Sequence, residues 1–420
     1  MPKLKGTVLL PGDKSISHRA ALFSAIREGT SYFENFNFNR DCLATLACLR
    51  AVGVEIETKE DTSVRINGKD PGRWQKPDHP LNAENSGTTA RLLSALLANL
   101  PFPTTLIGDA SLSRRPMKRI IEPLTQMGAD IRSNNGYLPL EFFPVSGLKG
   151  IDYELPVASA QVKSAVLMAG LFAEGATRVI ETIPSRDHTE RLLNLPVEID
   201  ARGRKIIRSR RGLPIPDISM KIPGDFSSAA FFITGALLLP GSELMIKNVS
   251  LNPTRTGFLE VLKQMGAQLE INLTQQEPEP AGEIVIRPQK LHNIEIPEEL
   301  IPNIIDEIPI LSILAARSEG TLVLRHASEL RFKESDRIKA IVQNLRQIGV
   351  EVEEFEDGFQ VCGPQSFKGG KITTFGDHRI AMSFAIADLL SDEPIEPDDP
   401  DCAAVSFPDF YHILKSVVQA

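Results

Sequence analysis

A chain of 420 residues, 42% hydrophobic and 24% charged, is long enough for two domains that each bury a core. Its net charge of −8 excludes the broad positive field of a nucleic-acid or membrane-surface binder, so any pull on an anion must come from cations converging locally. One Trp and four Tyr leave few stacking platforms for bases or sugars. Cys42, Cys48, Cys362 and Cys402 have neither metal-site nor CxxC spacing and read as reduced thiols. The apolar stretch Val8-Leu9-Leu10 stops at Pro11, unlike a secretory signal, and no apolar run of roughly 20 residues is present to span a bilayer. A cytoplasmic protein is expected.

Along the chain one plan recurs six times: a polar turn, often Gly-Asp, then a helix of small residues rich in Ala and Leu. The turns are Gly12-Asp13-Lys14-Ser15, Glu84-Asn85-Ser86-Gly87, Ser159-Ala160-Gln161, Gly224-Asp225-Phe226-Ser227, Ile305-Asp306-Glu307 and Gly376-Asp377-His378-Arg379. Measured at Asp13, Asn85, Gln161, Asp225, Asp306 and Asp377, they stand 72, 76, 64, 81 and 71 residues apart. In four copies a second helix closes on glycine, at Gly53, Gly128, Gly266 and Gly349, where a helix end commonly needs the left-handed conformation. Alternating apolar residues then read as strand, as in Val54 and Ile56 or Leu269 and Ile271. The third copy, Leu192-Leu193-Asn194-Leu195-Pro196-Val197, has lost the glycine and predicts a shortened helix. Each unit therefore reads strand–helix–strand–helix–strand–strand. Such an array needs no chemistry of its own, but its helix starts differ from copy to copy, which suggests one scaffold with specialised mouths.

The first mouth places Lys14 and Ser15 at a helix N-terminus, where unpaired N–H groups and the helix dipole suit phosphate, with Arg19 near the same face. Asp13 or Ser15 could equally be a plain cap. Arg114, Arg115 and Lys118 gather at a second-helix start, with Pro116 suited to its first position; a charge run is also often a solvated face. Ser159-Ala160-Gln161 offers a hydroxyl, a backbone N–H and an amide, or simply another cap. Arg186-Asp187-His188 occupies the corresponding second-helix place in the third copy. Asp306, in an otherwise apolar segment, is either a cap or a carboxylate that can take a proton from a hydroxyl.

Further on, Lys333 and Arg337 would share a helix face and clamp a doubly charged ligand, with Glu334 an acid or base tuned by them. The alternative is an exposed, ion-paired helix. His378 and Arg379 bring an imidazole and a guanidinium to the last helix start, where a cation suits the dipole poorly unless an anion binds. No zinc-like cluster, Walker A loop, dinucleotide fingerprint or Ser/His/Asp signature is found. Jointly these mouths point to an enzyme that holds small phosphorylated anions.

Four blocks carry a specific likeness: Pro11-Gly12-Asp13-Lys14-Ser15-Ile16-Ser17-His18-Arg19, Asn85-Ser86-Gly87-Thr88-Thr89-Ala90-Arg91, Lys333-Glu334-Ser335-Asp336-Arg337 and Gly376-Asp377-His378-Arg379-Ile380-Ala381-Met382. In this order they resemble the EPSP synthase (3-phosphoshikimate 1-carboxyvinyltransferase) family of enolpyruvyl transferases, and the resemblance runs through nearly the whole chain. It implies an α/β fold of two similar domains, each of three βαβαββ units around a pseudo-threefold axis, an inside-out α/β barrel. One domain would combine residues 1–12 with 226–420 and the other would span 13–225, with crossings near 11–14 and 223–227. The active site would lie in a cleft that closes on substrate.

The implied reaction joins the enolpyruvyl group of phosphoenolpyruvate to the 5-hydroxyl of shikimate 3-phosphate and releases phosphate, a step of the shikimate pathway. No metal and no organic cofactor is implied; the partners are the two small-molecule substrates, not nucleic acid or membrane, and a monomer is expected. Position by position, Asp306 resembles the base on the 5-hydroxyl, Glu334 the proton donor, and Lys14 a bridge between both substrates that assists proton handling. Lys14, Ser15, Arg19, Ser159, Ala160, Gln161, Arg186, Asp306 and Lys333 resemble the shikimate 3-phosphate contacts. Lys14, Gly87, Arg115, Gln161, Arg337, His378 and Arg379 resemble the phosphoenolpyruvate contacts.

The chain departs from the family at Val405, where many members carry a lysine before Ser-Phe-Pro; phosphoenolpyruvate binding should weaken unless another cation substitutes. The shortened segment 192–197 bears on where Arg186 stands. Gly87 would leave open space beside phosphoenolpyruvate, so sensitivity to glyphosate is expected. The related UDP-N-acetylglucosamine enolpyruvyl transferases carry a reactive cysteine or aspartate before the Arg-Pro of the second copy and Lys-Asn near the start; here 108–115 holds no cysteine, Asp109 lies well before Arg115-Pro116, and Lys14 is followed by Ser15. A non-catalytic phosphate binder would need neither Asp306 nor Glu334.

Overall fold

The computed structural model describes residues 2–419 and contains two compact units. One joins the chain up to Pro11 with everything from Pro223 onward; the other is Gly12–Ile222.

The Gly12–Ile222 unit is built on three helices, Lys14–Ile26, Gly87–Leu97 and Ala160–Gly170. They are rich in Ala, Leu and Ser and buried on nearly every side, as a central helix must be. Each opens on a side-chain cap that satisfies an otherwise orphaned N–H: Asp13 accepts from Ile16 at 2.9 Å, Ser86 from Thr89 at 3.1 Å and Ser159 from Val162 at 3.4 Å. Three four-stranded sheets surround them with one shared pattern, an opening strand parallel to the second and two further antiparallel strands. In the second sheet these are Leu81–Asn82, Thr104–Ile107, Tyr137–Phe143 and Asp130–Asn134. The sheet of Gly29–Glu34 takes its opening strand, Met220–Lys221, from the far end of the unit. Alternate residues of Tyr137–Phe143 are buried, so one face covers the core and the other meets solvent.

The other unit repeats the scheme around Phe226–Leu238, Ile308–Arg317 and His378–Asp388, which pack on one another. Its first sheet borrows the N-terminal strand Lys3–Leu9, parallel to Glu243–Ser250. The last copy departs from the six-element plan. After the parallel pair Gly370–Ile372 and Ile395–Pro397, the 3-10 helix Pro400–Val405 precedes the second helix, Phe410–Val417, and one short strand, Val418–Gln419, follows in place of two. Phe410 packs edge-on against Phe231 and Phe232, Phe407 is tilted against Phe232, and Val418–Gln419 pairs back onto Lys3–Leu4. Each unit has its own apolar core.

At the crossings, Asp225 N–H donates to Pro11 O at 2.9 Å and Gly224 N–H to Asn248 O at 2.6 Å, which fastens 223–225 to the discontinuous unit. A methyl group on Gly12 would stand 1.9 Å from Asn35 O, so only glycine lets the backbone pass there. The helix-ending glycines have positive φ, +83° at Gly53 and +97° at Gly128, and in the third copy Asn194 takes the same role at φ +48°. The helix before it is short, His188–Leu192. Among the described residues no helix is long and apolar enough to cross a membrane.

Candidate active site: two clusters of ionic side chains

In the Gly12–Ile222 unit the sequence-predicted residues gather at the starts of the three central helices. Lys14 is the first residue of its helix and pairs with Asp41, in the first turn of the helix Arg40–Ala51. Ser15 follows, partly buried. Arg19, 2% exposed, donates from Nε to Thr189 Oγ1 at 2.8 Å, from Nη2 to Ser164 Oγ at 2.8 Å and from Nη1 to Ser15 O at 3.0 Å. One arginine thereby ties the first helix to the third and to the short helix His188–Leu192 that follows Arg186. Ser159 spends its hydroxyl on the cap, Ala160 opens the helix, and Gln161 bridges Arg91 Nη1 at 2.9 Å and Thr88 Oγ1 at 3.0 Å.

Of the cations at 114–118, Arg114 and Lys118 are exposed, whereas Arg115 is buried against Asn85 Oδ1 at 2.6 Å and Ser111 Oγ at 3.3 Å. Pro116 lies in a non-helical link, since the helix begins at Lys118. Gly87 is not beside open space: a methyl group there would stand 2.7 Å from Arg91 Nη1. Beneath these groups His18 Nδ1, Thr45, Thr89 and Ser86 form a chain of hydrogen bonds, each 2.7 Å, that locks the helix starts together. Burial, then the neighbouring Lys14 and Arg19, hold the His18 imidazole well below its ordinary pKa, so it is neutral.

In the discontinuous unit one guanidinium organises the cluster. Arg337, 1% exposed, donates from Nε to Asp377 Oδ2 at 2.8 Å, from Nη2 to Glu334 Oε2 at 2.6 Å and from Nη1 to Asp306 Oδ1 at 3.3 Å. Burial alone would lower its pKa, but the carboxylates of Asp377, Glu334 and Asp306 outweigh that and hold it charged. Burial likewise opposes ionisation of Asp377, and Arg337 overcomes it, leaving Asp377 below the usual carboxylate range. Asp377 also caps its helix by accepting from Arg379 N–H at 3.0 Å, and its Oδ2 accepts from Ser335 Oγ–H at 3.0 Å. Arg379 Nη1 donates to Asp306 O at 3.0 Å, and its Nε is 3.8 Å from the Asp306 carboxylate. Asp306 is thus held by two arginines rather than serving as a cap, a position taken by Glu307. Lys333 lies ahead of the helix Arg337–Gln347, so it and Arg337 do not share a helix face. His378 is buried at the first helical position. Val405 ends the 3-10 helix Pro400–Val405, and no cation occurs in 400–408.

The profile of the EPSP synthase (3-phosphoshikimate 1-carboxyvinyltransferase) family matches residues 1–414. The chain belongs to this family. Among its EPSP synthase relatives, the 3-phosphoshikimate 1-carboxyvinyltransferase of Bacillus cytotoxicus is 46% identical over 418 residues, 99% of this chain and 98% of that one. A solved EPSP synthase from Acinetobacter baumannii is 42% identical with a TM-score of 0.87, covering 100% of this chain and 98% of that chain. The enolpyruvyl transferase NikO from Streptomyces tendae shares the fold at TM-score 0.76 with 17% identity, over 99% and 96% of the two chains. The two-unit α/β repeat fold is therefore that of enolpyruvyl transferases.

Several members of these two clusters carry no signal in the sequence of this EPSP synthase family member. Asp41 and Arg91 meet Lys14 and Gln161 only through tertiary packing, and no local motif announces such partners. Asp377 had a signal, its Gly-Asp turn, but its second task, holding Arg337 from 40 residues away, has none.

Proposed function

We propose that this chain transfers the enolpyruvyl group of phosphoenolpyruvate to the 5-hydroxyl of shikimate 3-phosphate, giving 5-enolpyruvylshikimate 3-phosphate and phosphate. Family membership sets the reaction, and one observation carries the residue roles: Arg337 holds Glu334 at 2.6 Å and Asp306 at 3.3 Å on a single buried guanidinium. Two carboxyl groups on one fixed cation can work in sequence, Asp306 as the carboxylate that takes a proton and Glu334 as the carboxylic acid that gives one.

Shikimate 3-phosphate is assigned to Lys14, Ser15, Arg19, Ser159, Ala160, Gln161 and Arg186, and to Asp306 and Lys333. Phosphoenolpyruvate is assigned to Lys14, Gly87, Arg115 and Gln161, and to Arg337, His378 and Arg379. Glu334 delivers a proton to the methylene carbon, and the adjacent carbon becomes electron-poor. The 5-oxygen attacks that carbon as Asp306 takes its proton, forming the new C–O bond. The tetrahedral adduct then breaks its C–O bond to phosphate, which leaves with the proton held by Asp306, and returns a methyl proton to Glu334, restoring the double bond. The arginines and Lys14 stabilise the phosphates and the carboxylate throughout, as fixed dipoles and charges do most effectively in a water-poor site. The same reading makes the chain a cytoplasmic monomer with no cofactor.

Phosphate release measured with shikimate 3-phosphate, and separately with UDP-N-acetylglucosamine, tests the acceptor; turnover only with the former is expected. Asp306→Ala and Glu334→Gln should each lower kcat by about 100-fold or more, the usual range for a lost general base or acid. Losses of only a few-fold in both would remove the role assignments.

A further inference from the structure

Lys163 is a wholly buried lysine to which the assignments above give no task. It stands on the helix Ala160–Gly170 two residues after Gln161 and is 0% exposed. Its ammonium group has three acceptors, Glu190 Oε1 at 2.9 Å, Glu181 Oε2 at 3.0 Å and Ser185 O at 3.3 Å, which uses every proton it carries. Glu181 Oε1 accepts from the N–H of Ser185 at 3.2 Å and also from its hydroxyl. Glu190 is shared with Lys205 at 2.7 Å. Burial would push the Glu190 carboxyl up, but Lys163 and Lys205 hold it below its ordinary value.

A buried ion pair is weak evidence of stabilisation, because an apolar replacement of similar volume often serves as well. The placement of these acceptors supplies a better reason for the cluster. Glu181 ends the strand Ala176–Glu181, Glu190 lies in the helix His188–Leu192, and Ser185 is the residue before Arg186. One ammonium therefore grips both ends and the middle of a loop whose residues 182–184 are exposed. Arg186 follows directly on the pinned Ser185. Three residues later Thr189 receives Arg19 Nε and lies 2.6 Å from Ser164 Oγ, on the same helix as Lys163.

We propose that Lys163 is a positioning residue for the acceptor's phosphate: it fixes the Glu181–Glu190 loop in the conformation that presents Arg186. This rests on the assignment of Arg186 to shikimate 3-phosphate.

The test compares Arg186→Ala, Lys163→Met and the charge-balanced Lys163→Met/Glu181→Gln, which keeps the Glu190–Lys205 pair and guards against a variant that fails to fold. Loss of the clamp should raise KM for shikimate 3-phosphate about ten-fold or more while KM for phosphoenolpyruvate and kcat move less than about three-fold, since ångström-scale misplacement of a binding group is costly. In an Arg186→Ala background the Lys163 changes should add less than about two-fold, the signature of two residues acting as one. If Arg186→Ala raises that KM and the balanced double variant does not, or if the effects multiply in full, the positioning role is wrong while the Arg186 assignment stands. If Arg186→Ala leaves both KM values unchanged, the assignment fails and the inference with it.

Discussion

Arg337 donates to Glu334 Oε2 at 2.6 Å, and it does so with a guanidinium that is 1% exposed and also reaches Asp306 and Asp377. A lysine in its place has a point charge that cannot span three carboxylates. Arg337→Lys should lower kcat/KM by about 100-fold to 10,000-fold, as two charge-assisted hydrogen bonds of about 1.5–3 kcal/mol each are lost. Arg337→Ala should also destabilise its unit by about 3–5 kcal/mol in urea unfolding, because the buried Asp377 carboxylate is left without its cation. Turnover of Arg337→Lys within a few-fold of the parent would show that the bridge is dispensable.

Acid should destabilise the protein in two stages. His18 is buried and neutral, with its folded pKa well below the ordinary value near 6.5, so the unfolded chain binds a proton that the folded one refuses. Stability from this source is full above about pH 6.5 and falls as the pH drops below it. Asp377 and Glu190 act lower: their folded pKa values are depressed, so their contribution is present above the ordinary carboxylate range and is lost as pH falls through the folded values. Urea unfolding from pH 8 to pH 3 should show both stages. His18→Gln should remove the first and Asp377→Asn should shrink the second; unchanged pH slopes in these variants would remove the attribution.

Gly87 is the position where adding one carbon should be most informative. Its methyl group would stand 2.7 Å from Arg91 Nη1 and 3.6 Å from Arg115 Nη1, so the Arg91 guanidinium, which donates to Gln161 at 2.9 Å, must shift and strain that bond. Gly87→Ala should raise KM for phosphoenolpyruvate about ten-fold, the loss of one charge-assisted hydrogen bond, with kcat largely kept. A KM for phosphoenolpyruvate in Gly87→Ala within two-fold of the parent's would overturn this.

The division of labour between local and distant residues explains what could be read from the sequence. The helix starts were legible because a cap and a small-residue helix are local signals, and Asp13, Ser86, Ser159, Asp225 and Asp377 all make cap bonds. Asp306 was legible as an outlier in an apolar segment, but not its two arginine partners, 31 and 73 residues away. The same holds for Lys163, whose neighbours in the sequence read as ordinary core until Glu181 and Glu190 fold against it. The end of the last copy was illegible for another reason: the plan predicts two strands there, whereas the one short strand, Val418–Gln419, pairs with Lys3–Leu4 at the opposite end of the chain.

Asn194 tests the repeat itself. Four copies end their second helix on glycine, whereas the third holds Asn194 at φ +48°, a conformation that costs an ordinary L-residue about 1–2 kcal/mol and asparagine less. Asn194→Gly should therefore leave stability within about 0.5 kcal/mol of the parent or raise it slightly, restoring the residue used at the other helix ends. Asn194→Val, which resists positive φ, should cost about 1–2 kcal/mol. Because the helix before it is only His188–Leu192, part of that cost should appear locally, as faster amide exchange in 188–193 before global unfolding. Equal stability of the Gly and Val variants would mean that the left-handed turn contributes nothing to this copy of the repeat.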